Sequence, residues 1–182
     1  EEILLKLVSI NYRGNHFYLS DWRVFESQAP PVARISTTQD KACVDQPITV
    51  SSSSEGFGLG AFRWDFGPQA SITTAEGPGP WEVSFSTADT QSIKLWLSNP
   101  HGMDSTTIRL PVGAPPLANF NTNLEGLTIN LLNQSTEASG YQWDFGDGQT
   151  STLENPIHTY AEPGTYTIEL TVFSDHCEPI RL

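Results

Sequence analysis

Four histidines, two cysteines and one close pair of aspartates are the residues with which this 182-residue chain can do chemistry. His16, His101, His158 and His176 lie far apart, and none has a second His or a Cys at zinc-ligand spacing. Neither a His-Glu-x-x-His nor a Gly-x-Ser-x-Gly pattern occurs, so the sequence shows neither a zinc-peptidase helix nor a nucleophile elbow. Cys43 and Cys177 are too few for a Cys-based zinc site or a disulfide-stapled miniprotein. Asp144 and Asp147 are interleaved with Gly146 and Gly148. Two chemistries fit that pair. Carboxylates gathered on a turn can serve Ca²⁺, which takes several oxygen ligands. Asp side chains also cap the backbone N–H groups of their own turn. The run is not an EF-hand loop, and capping is the simpler reading. No catalytic residue, no metal and no cofactor is expected.

Charge narrows the choice of partner. Asp and Glu number 21 against 9 Lys and Arg, a formal net charge of −12. Affinity for phosphates needs clustered Lys and Arg, so nucleic acid is not expected, nor is an anionic membrane surface. The longest apolar-rich run, Ile3 to Ile10, is interrupted by Lys6 and Ser9. It falls far short of the ~20 residues of a membrane span, and no direct membrane insertion is expected. The chain opens on Glu1-Glu2 and reads as an internal piece of a longer protein.

An internal repeat sets the elements that must position these residues. Ala29-Pro30-Pro31-Val32-Ala33 recurs as Ala114-Pro115-Pro116-Leu117-Ala118. Trp64-Asp65-Phe66-Gly67 recurs as Trp143-Asp144-Phe145-Gly146, Ile93-Lys94-Leu95 as Ile168-Glu169-Leu170, and Ile108-Arg109-Leu110 as Ile180-Arg181-Leu182. The landmarks keep their order while the offset shrinks from 85 to 79, 75 and 72 residues. Such deletions belong in surface loops. Paired prolines make stiff, extended linkers. The expected units are therefore 31–113 and 114–182, after a separate segment 1–30. Their net charges are −3, −8 and −1 respectively.

Each unit reads as all-β. Phe62, Trp64 and Phe66 alternate with Arg63 and Asp65, and Tyr141, Trp143 and Phe145 with Gln142 and Asp144. Ile93, Leu95 and Leu97 alternate with Lys94, Trp96 and Ser98. Short strands separated by Gly, Pro, Asn and Ser predict a small sandwich in each unit. Phe145-Gly146-Asp147-Gly148 ends a strand, and Glu162-Pro163-Gly164 turns into a strand spanning 166–173. Parity places Trp64 and Trp143 in the cores. Trp96 shares the outward phase of Lys94, so the pair is the candidate binding surface, for sugar stacking or a protein partner. The competing reading is burial of Trp96 against the neighbouring unit or the segment 1–30.

Three spaced motifs carry a family resemblance. Tyr141-Gln142-Trp143-Asp144-Phe145-Gly146-Asp147-Gly148 is followed by Asn155-Pro156-Ile157-His158-Thr159-Tyr160, then by Pro163-Gly164-Thr165-Tyr166-Thr167-Ile168-Glu169-Leu170-Thr171-Val172. Together they resemble the PKD (polycystic kidney disease) domain signature. The first unit is similar in degenerate form. It keeps Trp64-Asp65-Phe66-Gly67 but has Pro68 for Asp147, Val83 for His158, Phe85 for Tyr160, Asp89 for Gly164 and Gln91 for Tyr166. The resemblance implies immunoglobulin-like sandwiches, with Tyr166 as a tyrosine corner and a structural His158. It also implies that a Cys before strand B pairs with one after strand F. Cys43 and Cys177 each lack that partner in their own unit, and linear order sets the units apart. Two unpaired thiols, or pairing outside the chain, are the expectation.

Residues 1–30 read as a β-hairpin around Arg13-Gly14. Phe17-Tyr18-Leu19-Ser20-Asp21-Trp22-Arg23-Val24 is similar to the last strand of jelly-roll domains that precede PKD repeats in secreted proteins of Bacteroidota-like bacteria. The function implied is a non-enzymatic, extracellular or cell-surface spacer or adhesion module of a larger protein. Its partners would be other domains of the same parent, or a surface protein or glycan. The alternatives are the accessory region of a secreted metallopeptidase whose catalytic domain lies outside the chain, and a glycan-binding module using Trp96.

Overall fold

The computed structural model describes residues 30–55 and 60–182. The hairpin expected over 1–30 lies outside them, apart from Pro30. Every regular element among the described residues is a strand. None is a helix long and apolar enough to cross a membrane.

The first unit contains β1 (Ile35–Thr37), β2 (Ala42–Cys43), β3 (Ile48–Ser52), β4 (Ala61–Asp65), β5 (Thr74–Glu76), β6 (Trp81–Val83), β7 (Thr90–Asn99) and β8 (Gly102–Gly113). They form two sheets, ordered β1-β3-β6 and β2-β8-β7-β4-β5. The long β7–β8 hairpin turns at Pro100-His101, where Asn99 Oδ1 accepts the His101 N–H. Along β7 the alternation is clean. Gln91, Ile93, Leu95 and Leu97 are buried, Ser92 is exposed, and Lys94 and Trp96 are half-covered. Trp64, Phe66, Val83 and Phe85 meet them between the sheets.

The second unit contains β9 (Phe120–Glu125), β10 (Thr128–Asn133), β11 (Gly140–Asp144), β12 (Thr150–Ser151), β13 (Ile157–Thr159), β14 (Glu169–Phe173) and β15 (Ile180–Arg181). Its sheets are ordered β13-β10-β9 and β12-β11-β14-β15. Ile129, Leu131, Trp143, Phe145, Tyr160, Leu170 and Val172 form a separate core. Two facing sheets around one apolar layer make each unit a β-sandwich. The strand expected over 166–173 begins later, at Glu169. The turn at Gly146 abuts the Thr167 backbone, and ladder pairing starts only at Asp144–Glu169.

The cysteines overturn the expectation of unpaired thiols. Cys43 and Cys177 form a disulfide with their Cα atoms 4.9 Å apart, inside the ~7 Å that a bridge allows. Linear order misled because strand direction brings both to one joint. β2 runs parallel to the end of β8, which sets Cys43 against Gly113, the residue before the proline linker. Chain direction in β14 carries Cys177 back to the same place, where its sulfur lies 3.6 Å from the Gly113 carbonyl oxygen. His176 packs so closely on Gly113 that a Cβ there would stand 2.6 Å from the His176 Cβ. Glycine is needed at 113 for that approach.

Candidate functional site

In both turns the chemistry is backbone capping. Asp65 Oδ1 accepts the Gly67 N–H at 2.9 Å, and Asp144 Oδ1 accepts the Gly146 N–H at 2.9 Å. Gly67, Gly146 and Gly148 take φ of +87°, +80° and +88°, a region that costs residues with a Cβ. The two core indoles are anchored alike. Trp64 Nε1–H donates to the Gly77 carbonyl at 2.8 Å, and Trp143 Nε1–H to the Leu153 carbonyl at 2.9 Å. Phe66 stacks on Trp64.

The second unit adds a polar network. Asp147 Oδ1 accepts the Gln149 N–H at 3.0 Å, while Oδ2 pairs with His158 Nε2 at 2.8 Å. The His158 ring lies flat on Phe145, centroids 4.1 Å apart, and meets the Tyr160 ring edge-on. Tyr160 donates its hydroxyl to the Phe145 carbonyl at 2.9 Å, and Tyr166 stacks on Tyr160. Tyr166 Oη donates to the Glu162 carbonyl four residues back, the tyrosine-corner geometry. Pro163 is exposed at that loop, and Gly164 leaves room for the Tyr166 ring. Burial pushes the Asp147 carboxyl up. The Gln149 N–H and the His158 ring outweigh it and hold the group below its ordinary value. Burial, then the Asp147 charge, pushes the Tyr160 phenol up.

The network therefore fixes loops and leaves little free to react. Each Asp147 oxygen is engaged, and His158 is buried between rings. Among the described residues, no three His, Cys, Asp or Glu side chains converge as a metal site. The first unit solves the corner differently. Gln91, at the place of Tyr166, is buried, and its Nε2 donates to Thr87 Oγ1 and the Asp89 carbonyl. Sequence reasoning noticed the missing tyrosine but not this substitute. A buried polar residue among the inward positions of a strand was the available signal.

Trp96 and Lys94 sit apart from both turns, on the outer face of the five-stranded sheet. The Lys94 ammonium stands over the indole at 4.5 Å from the ring centroid, and the Arg63 guanidinium lies 5.7 Å away. Beside them opens a groove of about 860 Å³, whose walls include Phe62, Arg63, Glu76, Trp96, Met103 and Asp104.

Fold and site together define an all-β, immunoglobulin-like sandwich module whose polar network serves its loops. Residues 114–178 match the PKD domain family, so a PKD domain occupies this part of the chain. Over 64 residues the chain is 42% identical to the pre-pro-metalloprotease PrtV of Vibrio cholerae serotype O1, covering 33% of this chain and 7% of that protein. Over 69 residues it is 38% identical to collagenase ColA of Bacillus cereus, covering 38% of this chain and 7% of that protein. The chain thus spans only a small part of the length of these relatives. Across both units it is similar to the titin I67–I69 fragment in its E-to-A variant, with a TM-score of 0.53 and 13% identity. That match covers 84% of this chain and 63% of the titin fragment, and it shows the immunoglobulin-like fold alone.

Proposed function

We propose that the chain is a non-catalytic spacer that holds neighbouring parts of a larger extracellular or cell-surface protein at a fixed separation. The observation that carries this reading is the Cys43–Cys177 bridge across the joint of the two units. Disulfides persist in oxidising compartments, so the bridge favours a position outside the cytosol. The stiff Ala114-Pro115-Pro116 linker already restricts the joint, and the bridge adds a second tether. The first unit is read as a degenerate PKD copy. Its Asp65 cap and its indole anchor repeat those of the second unit, with Gln91 replacing the tyrosine corner.

The names of the relatives favour one particular parent. PrtV is a pre-pro-metalloprotease and ColA a collagenase, so the accessory region of a hydrolase is the second reading. In either case the partners are other domains of the parent or a surface protein. The Bacteroidota-like origin drawn from residues 17–24 belongs to the same proposal. Thiol titration of the unfolded, unreduced chain should find no free Cys. Small-angle scattering should give one extended shape before reduction and a broader ensemble after it. Two free thiols, or scattering unchanged by reduction, would sink the spacer reading.

A further inference from the structure

The outer face of β4, β7 and β8 gathers cations in an otherwise acidic chain. Strand pairing sets Arg63 beside Trp96, Lys94 beside Asp65 and Thr107, and Arg109 beside Ser92. Arg63, Lys94 and Arg109 thus step down one row per strand and form a diagonal. With strands about 4.8 Å apart and same-face residues about 6.7 Å apart, successive bases stand about 8 Å from each other. The ion pairs found among the described residues engage Arg34, Arg181 and His158, and none of these three bases. Two carboxylates share the face: Asp65 caps the Gly67 N–H, and the exposed Glu76 stands beside Arg63 on β5 without an ion pair to it, so the bases outnumber the acids three to two there. Arg63 and Arg109 are exposed, Lys94 lies between them on the diagonal, and the half-covered Trp96 stands beside Arg63.

We propose that this face docks an extended acidic segment of a partner protein, whose alternate carboxylates reach Arg63, Lys94 and Arg109 alongside Trp96. Charge complementarity names the chemistry. An extended peptide repeats its side chains on one face every ~6.7 Å, a period that long Arg and Lys side chains can meet across the diagonal. Guanidinium groups pair carboxylates with two parallel hydrogen bonds, and Arg and Trp are the residues that most often dominate protein interfaces. An acidic polysaccharide fits less well. Sugar stacking needs a free indole face, and the Lys94 ammonium already stands over the Trp96 ring at 4.5 Å. The net charge of −12 opposes long-range approach of any polyanion, so binding must come from short-range pairing at this face. The inference goes beyond the spacer reading and does not depend on the disulfide.

The test uses the whole chain and a fluorescent peptide of repeating Glu-Thr, followed by anisotropy. The peptide should bind, and binding should weaken about tenfold or more in R63E/R109E, the loss of two charge-assisted pairs. Lys41→Glu, an exposed base just before β2, should leave it unchanged. Raising salt from about 0.05 to 0.5 M should weaken binding too. If R63E/R109E loses its near-ultraviolet dichroism, the neutral pair R63Q/R109Q takes its place. Absence of binding, equal loss with Lys41→Glu, or stronger competition by alginate of equal charge would each overturn the proposal.

Discussion

Asp147 shows how one residue couples a turn to a core. Its carboxylate holds the Gln149 N–H and the His158 ring together, and its pKa lies below the ordinary value. A carboxyl depressed in the folded state stabilises that state above its unfolded pKa, and the stabilisation is lost as pH falls through the folded value. The second unit should therefore weaken on acidification below about pH 4, read as loss of near-ultraviolet dichroism. Asp147→Asn should flatten that acid limb, and an unchanged limb would deny Asp147 the role. Tyr160 offers a second check. Its hydroxyl donates to the Phe145 carbonyl, whereas the first unit has Phe85 at the matching place. Tyr160→Phe should cost about 1 kcal/mol in denaturant unfolding, the net worth of a typical hydrogen bond.

At the scale of elements, the turns impose backbone shapes that the strands alone do not. Gly146 and Gly148 both take positive φ, yet their surroundings differ. A Cβ at 146 would run into the Thr167 backbone, while one at 148 would meet nothing within 4 Å. Gly148→Ala should cost about 1 kcal/mol, the left-handed penalty alone. Gly146→Ala should cost clearly more, because the 165–168 segment must also move. Equal losses in chemical unfolding would show that the close approach carries no weight. The strand-forming signal was legible from alternation because one face of each strand is buried. That parity identified Trp64, Trp143 and Leu95 as inward, and all three are fully buried. The start of β14 was not legible, since it depends on where a distant turn touches the chain.

For the whole molecule, the joint decides the behaviour. The two cores share no residue, so the covalent bridge, the linker and the Gly113–His176 packing hold the units together. Gly113→Ala should displace His176 and with it Cys177. Oxidative refolding of that variant should leave more free thiol than the parent chain, measured by thiol titration. If the bridge closes equally well, the Gly113–His176 contact does not govern its formation. The acidic charge of the second unit, −8 over residues 114–182, should keep copies apart in solution at low salt.

The local patterns of the chain were sufficient for the all-β class, the spacing of the Trp-Asp-Phe-Gly turns and the PKD signature of the second unit. Each of these depends on neighbours within a strand or a turn, which periodicity and turn chemistry report directly. Three features belong to the tertiary structure alone. They are the Gln91 substitute for a tyrosine corner, the diagonal of bases on the outer sheet, and the Cys43–Cys177 bridge. All depend on which strands lie side by side and in which direction they run. The bridge makes the point most sharply, with 134 residues between its ends along the chain and 4.9 Å between their Cα atoms in the fold.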